Sequence, residues 1–143
     1  MQWSTSDNAG FSPSGIDTWL PLEPHYQEFN VEVEQVDQTS LFNCYKRLLE
    51  LRKSTPALHS GAIQFKEVGK ELRNSVLAYE RLLYTPDLQQ IAQVVLNFSD
   101  APKLVHGFEG VKTLLFSTVL NSTPFDGNAL QLEPWEGIII NVQ

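Results

Sequence analysis

The sequence is poor in the residues that most often announce chemistry. A single cysteine, Cys44, in 143 residues excludes an internal disulfide and a cysteine-based zinc site. It lies in an apolar-periodic stretch without a nucleophile signature, and reads as a small helix-face residue. His25, His59 and His106 are scattered and lack metal-ligand spacing, so neither a metal nor a cofactor is expected. No GxSxG elbow and no glycine-rich phosphate loop occurs. Positive charge is also scarce: ten Lys and Arg against 17 Asp and Glu give a net charge of −7. That balance excludes a face for nucleic-acid phosphates, which needs clustered basic residues. No apolar run approaches the roughly 18 residues of a membrane-spanning helix. The first residues have neither the basic nor the apolar region of a secretory leader. A cytoplasmic location is the resulting expectation, with no nucleic-acid and no membrane partner.

What is present falls into three regions. Met1 to about Val36 is loop-like, with no helical or strand period and with Pro13, Gly15, Pro21 and Pro24 as punctuation. Trp19, Leu20 and Leu22 are its anchors. An aperiodic segment of this length in a compact domain is ordinarily a functional or interface segment. The stretch TSLFNCYKRLLELRKST follows, and its apolar residues recur at three and four (Leu41, Tyr45, Leu48; Phe42, Tyr45, Leu49; Cys44, Leu48, Leu51). This predicts one amphipathic helix packed through Leu48 and Leu49. Asp37, Thr39 and Ser40 offer N-cap oxygens, and Lys46, Arg47, Arg52 and Lys53 suit the C-terminal end of the helix dipole. Asn43 replaces the acid of a full capping box. Pro56 stops the helix by moving Thr55 out of helical geometry.

Beyond Pro56 the pattern is that of strands. GAIQFKEV, NSVLAYERLLY, QQIAQVVLNFS, TLLFSTVL and WEGIIINVQ are rich in β-branched and aromatic residues. Turn signals separate them at Val68-Gly69-Lys70, Thr85-Pro86-Asp87, Asp100-Ala101-Pro102, Pro124 to Asn128, and Pro134. Short strands with no helices between them predict an antiparallel β-sandwich of six to eight strands. The fold expected is therefore mainly β: residues 1–56 form a long loop and one helix, and residues 57–143 form the sandwich.

Candidate chemistry is sparse. Glu32 and Glu34 in NVEVEQ share a face if that segment is extended, at about 6.5 to 7 Å, a spacing that suits two glycosidase carboxylates. Exposed acids on a turn are the commoner reading. Trp3, Trp19 and Trp135 have rings suited to stacking on a sugar as well as to filling a core. Asn97-Phe98-Ser99 and Asn121-Ser122-Thr123 have the pattern of glycosylation sequons, which read as chance without a secretory leader.

The order of several motifs carries a resemblance. MQW followed by NAGF, then TWLPLEPHY, FNVEVEQ, SLFNCYKRLLELRKSTPAL, VLAYER, VVLNFSD and LEPWEGIII, resembles the C-terminal portion of alpha-glucosidase and oligo-1,6-glucosidase-like enzymes of the alpha-amylase family, glycoside hydrolase family 13. The resemblance covers nearly the whole chain. It implies that residues 1–56 are the loop after the eighth strand of a catalytic (β/α)₈ barrel plus its last helix, and that residues 57–143 are the C-terminal β-sandwich. A complete barrel needs about 250 residues, so a fragment or separated C-terminal portion is expected. No position matches the family's catalytic carboxylates, so no catalytic residue is expected here. Gln2, Trp3 and Phe11 are the residues the resemblance sets at the rim of a substrate cleft. The implied partners are the catalytic barrel in cis and, in the parent enzyme, an alpha-glucan or oligosaccharide. Ser4 departs from the pattern: many oligo-1,6-glucosidase-like sequences have Asp after MQW, and serine there is similar to trehalose synthases. A transglycosylating parent of that kind is one alternative, and a stand-alone carbohydrate-binding or interaction module is another.

Without its barrel, the opening loop is expected to be mobile over residues 1 to about 12. Ordering costs about 1 to 2 kcal/mol per residue, more than two aromatic rings return at about 25 cal/mol per Å².

Overall fold

A computed structural model describes residues 1–108 and 112–142. The chain divides into two compact units, Met1–Leu48 and Leu49–Gln143.

The first unit is better ordered by local hydrogen bonds than its aperiodic sequence predicts. After a 3₁₀ turn at Asp7–Gly10 the chain runs without regular structure to a short helix, α1 (Val31–Val36). This corrects the expectation of loop, or of an extended segment, through Val36. Asn30 is the cause. Its backbone is extended and its Oδ1 accepts from Val33 N–H at 2.9 Å, the geometry of an N-cap. Its buried amide also donates to the Tyr26 carbonyl at 2.8 Å. One and a half turns are too short to print a helical period on the sequence.

Helix α2 (Leu41–Ser54) is where the periodicity sets it. Ser40 Oγ accepts from Asn43 N–H at 3.2 Å and so acts as N-cap. Asp37 instead accepts from the Thr39 N–H and hydroxyl at 2.8 and 2.7 Å. Asn43 takes no part in a capping box; its buried amide donates back to the carbonyls of Glu34 at 2.9 Å and Asp37 at 2.8 Å. These are the unpaired carbonyls at the C-terminal end of α1, which a helix must satisfy from outside itself. The expected packing face is corrected in part. Leu41, Tyr45 and Leu49, one stripe at i, i+4 and i+8, are 67, 59 and 60% exposed, whereas Phe42, Cys44, Leu48 and Leu51 are half-buried. Thr55 leaves helical geometry (φ −115°, ψ 94°) ahead of Pro56, as its sequence position predicts.

Pro56 also begins something the strand-like pattern conceals, a further helix α3 (Pro56–Ser60) with the proline at its N-terminus. There the missing N–H costs nothing and the fixed φ suits the helix. Gly61 follows because nothing larger fits: a Cβ would lie 2.6 Å from the Ala57 carbonyl oxygen and 3.0 Å from that of Leu82.

The second unit carries two antiparallel sheets. The larger has five strands in the order β1 (Ala62–Phe65), β2 (Val76–Tyr84), β3 (Gln89–Asn97), β8 (Gly137–Val142), β5 (Lys112–Ser117). The smaller has the order β4 (Lys103–His106), β7 (Ala129–Leu132), β6 (Phe125–Asp126). The five apolar stretches of the sequence form the large sheet, whereas the small sheet was not marked by its sequence. Its β6–β7 hairpin lies in the stretch read as a turn, and Gly127 (φ 55°) opens the two-residue loop where only glycine sits without strain.

One face of the large sheet is the core. Val76, Ala78, Val95, Ile138 and Ile140 pack with Val105, Leu130 and Leu132 of the small sheet and with Phe108, the alternation of a sandwich interior. A bulge at Leu115 shifts the β5–β8 register between Leu114 and Phe116. Next to the bulge, Ser117 meets Glu136, a residue only 1% exposed. Glu136 accepts from the Ser117 hydroxyl at 2.6 Å and from Glu133 N–H at 2.8 Å. Strand β1 departs from expectation: Ile63 and Phe65 face away from the core and are 53 and 67% exposed, while Val68 packs against it. An edge strand open on both faces leaves no burial contrast to read.

Candidate functional site

Gln2, Trp3 and Phe11 lie in the first unit, and their surroundings are built by a run of left-handed residues. Asn8, Ala9 and Gly10 have φ of 61, 52 and 77°. Asn8 tolerates this conformation best among non-glycine residues because its side chain bonds locally. Its amide donates to Ser12 Oγ and to the carbonyls of Pro13 and Ile16, at 3.0, 3.0 and 2.7 Å. The turn brings the Ala9 carbonyl to Trp3 N–H at 2.9 Å, and Ala9 is fully buried. On the other side, the carbonyls of Gln2 and Trp3 accept from Val31 and Glu32 N–H, both at 3.1 Å. These two amides open α1, where a helix has unpaired donors. Main-chain bonds on both sides thus hold residues 2–4, contacts that the expectation of a mobile opening segment does not include. Amide hydrogen exchange should find Trp3, Val31 and Glu32 protected relative to Asp7 and Ser14; equal, fast exchange at all five would contradict this anchoring.

The three residues expected at a cleft rim do not all converge. Gln2 and Phe11 line one open recess of about 480 Å³ with Met1, Trp19, Leu20 and Pro21, and Trp3 does not line it. Trp3 and Phe11 are half exposed, and Trp19 is 94% exposed. Asp17 and Glu23 at the same recess give it acidic hydrogen-bond acceptors beside aromatic surface, a combination that suits hydroxyl-rich ligands. The recess was not visible in the sequence, where Trp19 reads as an anchor or as a ring suited to stacking on a sugar. Ser4, at the position of the departure from the family pattern, shares a hydrogen bond with Ser6 Oγ at 2.6 Å.

Glu32 and Glu34 do not form a carboxylate pair. On α1, residues two apart point about 200° from each other, and each acid already has a task. Glu32 Oε2 accepts from Thr5 N–H and its hydroxyl at 3.1 and 3.3 Å. Glu34 Oε2 accepts from Phe42 N–H at 3.0 Å, where negative charge at the start of α2 is favourable. Among the described residues no group of three His, Cys, Asp or Glu is placed to hold a metal ion, and no helix is long and apolar enough to cross a membrane. Asn97 is 3% exposed and its amide donates to the Ala101 and Glu133 carbonyls, both at 2.9 Å. A nitrogen so engaged is no acceptor for a glycan.

A polar network lies on the core-facing side of β2 and β3. Lys66 Nζ and Gln93 Nε2 both donate to Glu80 Oε1, at 2.9 and 2.6 Å, and Lys66 Nζ also lies 5.7 Å from the centre of the Phe108 ring. Burial raises the Glu80 pKa, but the hydrogen bonds from Lys66 and Gln93 and the lysine charge outweigh it, so the carboxyl sits below its ordinary 4.5. A lowered carboxylate pKa stabilises the fold above the ordinary value and loses that contribution as pH falls through the folded one. Denaturant melts should therefore show stability declining on acidification below about pH 4.5, with a shallower decline in Lys66→Met. An unchanged slope in that variant would contradict the network.

With this geometry in place, the chain can be set beside known proteins. A profile of the alpha-amylase catalytic domain matches residues 1–61. Maltase 1 of Drosophila virilis is 33% identical over 156 residues, covering all of this chain and 23% of its own length. The oligo-1,6-glucosidase of Parageobacillus thermoglucosidasius is 29% identical, again over the whole chain and 25% of its own length. Among solved structures, the isomaltulose synthase of Klebsiella sp. LX3 superposes with a TM-score of 0.83 at 28% identity, over 99% of this chain and 24% of that one. The trehalulose synthase of Pseudomonas mesoacidophila MX-45 gives 0.81 at 29%, with the same coverage. The fold is thus the mainly antiparallel β fold of a C-terminal domain in these glycosidase-type enzymes. The chain resembles the C-terminal portion of alpha-glucosidase and oligo-1,6-glucosidase-like enzymes of the alpha-amylase family, glycoside hydrolase family 13. It spans about a quarter of the length of the curated relatives it matches.

Proposed function

We propose that this chain is the non-catalytic C-terminal portion of a retaining glycoside hydrolase that acts on alpha-linked gluco-oligosaccharides. Residues 1–56 complete the catalytic barrel, and the sandwich of residues 57–143 stabilises it. The observation that carries this reading is where the catalytic-domain match stops: residue 61, one residue before β1 begins. The exposed stripe of Leu41, Tyr45 and Leu49 supports it, being what a barrel helix presents when its strands are not there to cover it. In the parent, a carboxylate attacks the anomeric carbon while a carboxylic acid protonates the leaving oxygen, and the covalent glycosyl intermediate is then hydrolysed by water. Gln2, Trp3 and Phe11 stand at the rim of that cleft and contact the sugar rather than perform the chemistry. The partners are the barrel in cis and the oligosaccharide, and the setting is cytoplasmic.

The likeness to isomaltulose and trehalulose synthases, together with Ser4, favours a second reading of the parent as a transglycosylase in which a sugar hydroxyl replaces water as acceptor. Against a stand-alone sugar-binding module stands the ring pair of the sheet, Phe65 and Tyr79. Their planes cross at 65° with centroids 6.2 Å apart, so they form no flat stacking platform. The coding sequence immediately upstream tests the proposal: an in-frame barrel with three family carboxylates is expected, and an unrelated frame or a distant gene would overturn it.

A further inference from the structure

Trp135 and the segment Asn121-Ser122-Thr123 are sequence features that the barrel reading leaves without a task. The fold brings them to one recess. Glu136 N–H donates to the Glu133 carbonyl at 3.1 Å, which closes a turn with Pro134 and Trp135 at its centre. A proline followed by a residue of positive φ is the type II pattern, and glycine is preferred at the second of those positions. Trp135 holds it at φ 59°, a left-handed conformation in which a bulky residue is an outlier. Its N–H donates to the Ser99 carbonyl at 3.0 Å, so its backbone is fixed, yet the residue is 64% exposed. Packing into the sandwich would account for a strained tryptophan. An exposed one points to a task at the surface.

The same turn borders an open recess of about 460 Å³, within the range of about 300 to 1,000 Å³ of small-molecule sites. Gln131 and Glu133 line it from one segment, and Asn121, Ser122 and Thr123 from another. The main chain of the first segment is engaged. The Glu133 carbonyl accepts from Asn97 Nδ2 at 2.9 Å, Glu133 N–H donates to Glu136 Oε2 at 2.8 Å, and Gln131 N–H donates to the Pro124 carbonyl at 2.8 Å. The side chains are not engaged: none of these five has a hydrogen-bond partner among the described residues. Two amides and two hydroxyls can donate and accept, and the Glu133 carboxylate accepts. No Lys or Arg is among the described lining residues, so the recess offers no cation to a phosphate or carboxylate. An uncharged ligand with many hydroxyls satisfies this set, and the apolar face of its ring suits an exposed indole.

We propose that this recess, with Trp135 beside it, is a binding subsite on the sandwich for a neutral gluco-oligosaccharide. The inference takes the alpha-linked glucose units of its ligand from the reading under Proposed function and adds a place that holds them. It gives the three residues of the Asn121 sequon pattern a role in hydrogen bonding, and the strained turn a role in presenting a ring.

Maltotriose titrated into the ¹⁵N-labelled 143-residue chain tests it, in a Trp19→Ala background that removes the exposed indole of the opening recess. Saturable shifts are expected at the Gln131 and Glu133 amides and the Trp135 indole N–H. Trp135→Gly and, separately, Gln131→Ala are each expected to weaken binding about tenfold. Glycine suits the positive φ, so Trp135→Gly is also expected to raise the midpoint of a urea melt. A lowered midpoint would make the ring a packing residue and overturn the assignment. Absence of saturable shifts at these positions, or binding unchanged in Trp135→Gly, would overturn it too. Each of these failures leaves the barrel reading intact, whereas an upstream frame without a barrel would remove that reading and leave the titration result standing.

Discussion

The 143-residue chain, incubated with a p-nitrophenyl alpha-glucoside, is expected to release no p-nitrophenol above the buffer rate. A retaining glycosidase needs two carboxyl groups about 5 to 5.5 Å apart across the scissile bond. The one sequence-adjacent pair that suggested this chemistry is committed elsewhere: Glu32 holds Thr5, and Glu34 holds the first turn of α2. Glu136, the buried acid of the sandwich, has both oxygens engaged by Ser117 and Glu133 N–H. The effect expected is loss of the whole acceleration, which in ordinary enzymes is at least about 10⁶-fold. Turnover that persists at constant specific activity through successive purification steps would contradict it.

The second large effect is on stability, and it separates the two kinds of apolar residue in this chain. Ile140 is fully buried in the core between the sheets, so Ile140→Ala is expected to cost about 2 to 5 kcal/mol through lost burial and a residual cavity. Leu49 has comparable size but is 60% exposed, and Leu49→Ala is expected to change stability by less than about 0.5 kcal/mol. Urea melts with unchanged slope would report both as shifts in midpoint. A large loss from Leu49→Ala would mean that the exposed stripe of α2 is covered in the chain as it stands, and the account of that helix as an unpartnered barrel element would fail.

The sequence disclosed the elements that carry a long period and concealed those that depend on a single side chain or a distant partner. Helix α2 and strands β2, β3 and β8 repeat their apolar residues often enough to be read directly. Helix α1 rests on the Asn30 cap, and its six residues leave no pattern. Pro56 announces both the end of α2 and the start of α3, and periodicity reports only the first. Strands β4, β6 and β7 are two to four residues long and exist because they pair with one another, which no local pattern encodes. The outward turn of Ile63 and Phe65 is hidden for a related reason: alternation fixes which residues share a face, but not which face meets the core. In the candidate site, Asn8 and Gly10 hint at the left-handed run but Ala9 does not, and the anchoring of Gln2 and Trp3 depends on Ala9 and on two amides of α1. The rim roles proposed for Gln2, Trp3 and Phe11 rest on resemblance alone, whereas the recess shared by Gln2, Phe11 and Trp19 is visible only in the fold.

The central claim is that this chain works as one part of a longer glycosidase-type polypeptide. The mass of the native protein tests it most directly, measured intact after capture from its source cells with an antibody raised against the sandwich. The account predicts a single polypeptide of about four times the 16.2 kDa of this chain, whereas a native species of 16.2 kDa with no larger form would contradict it.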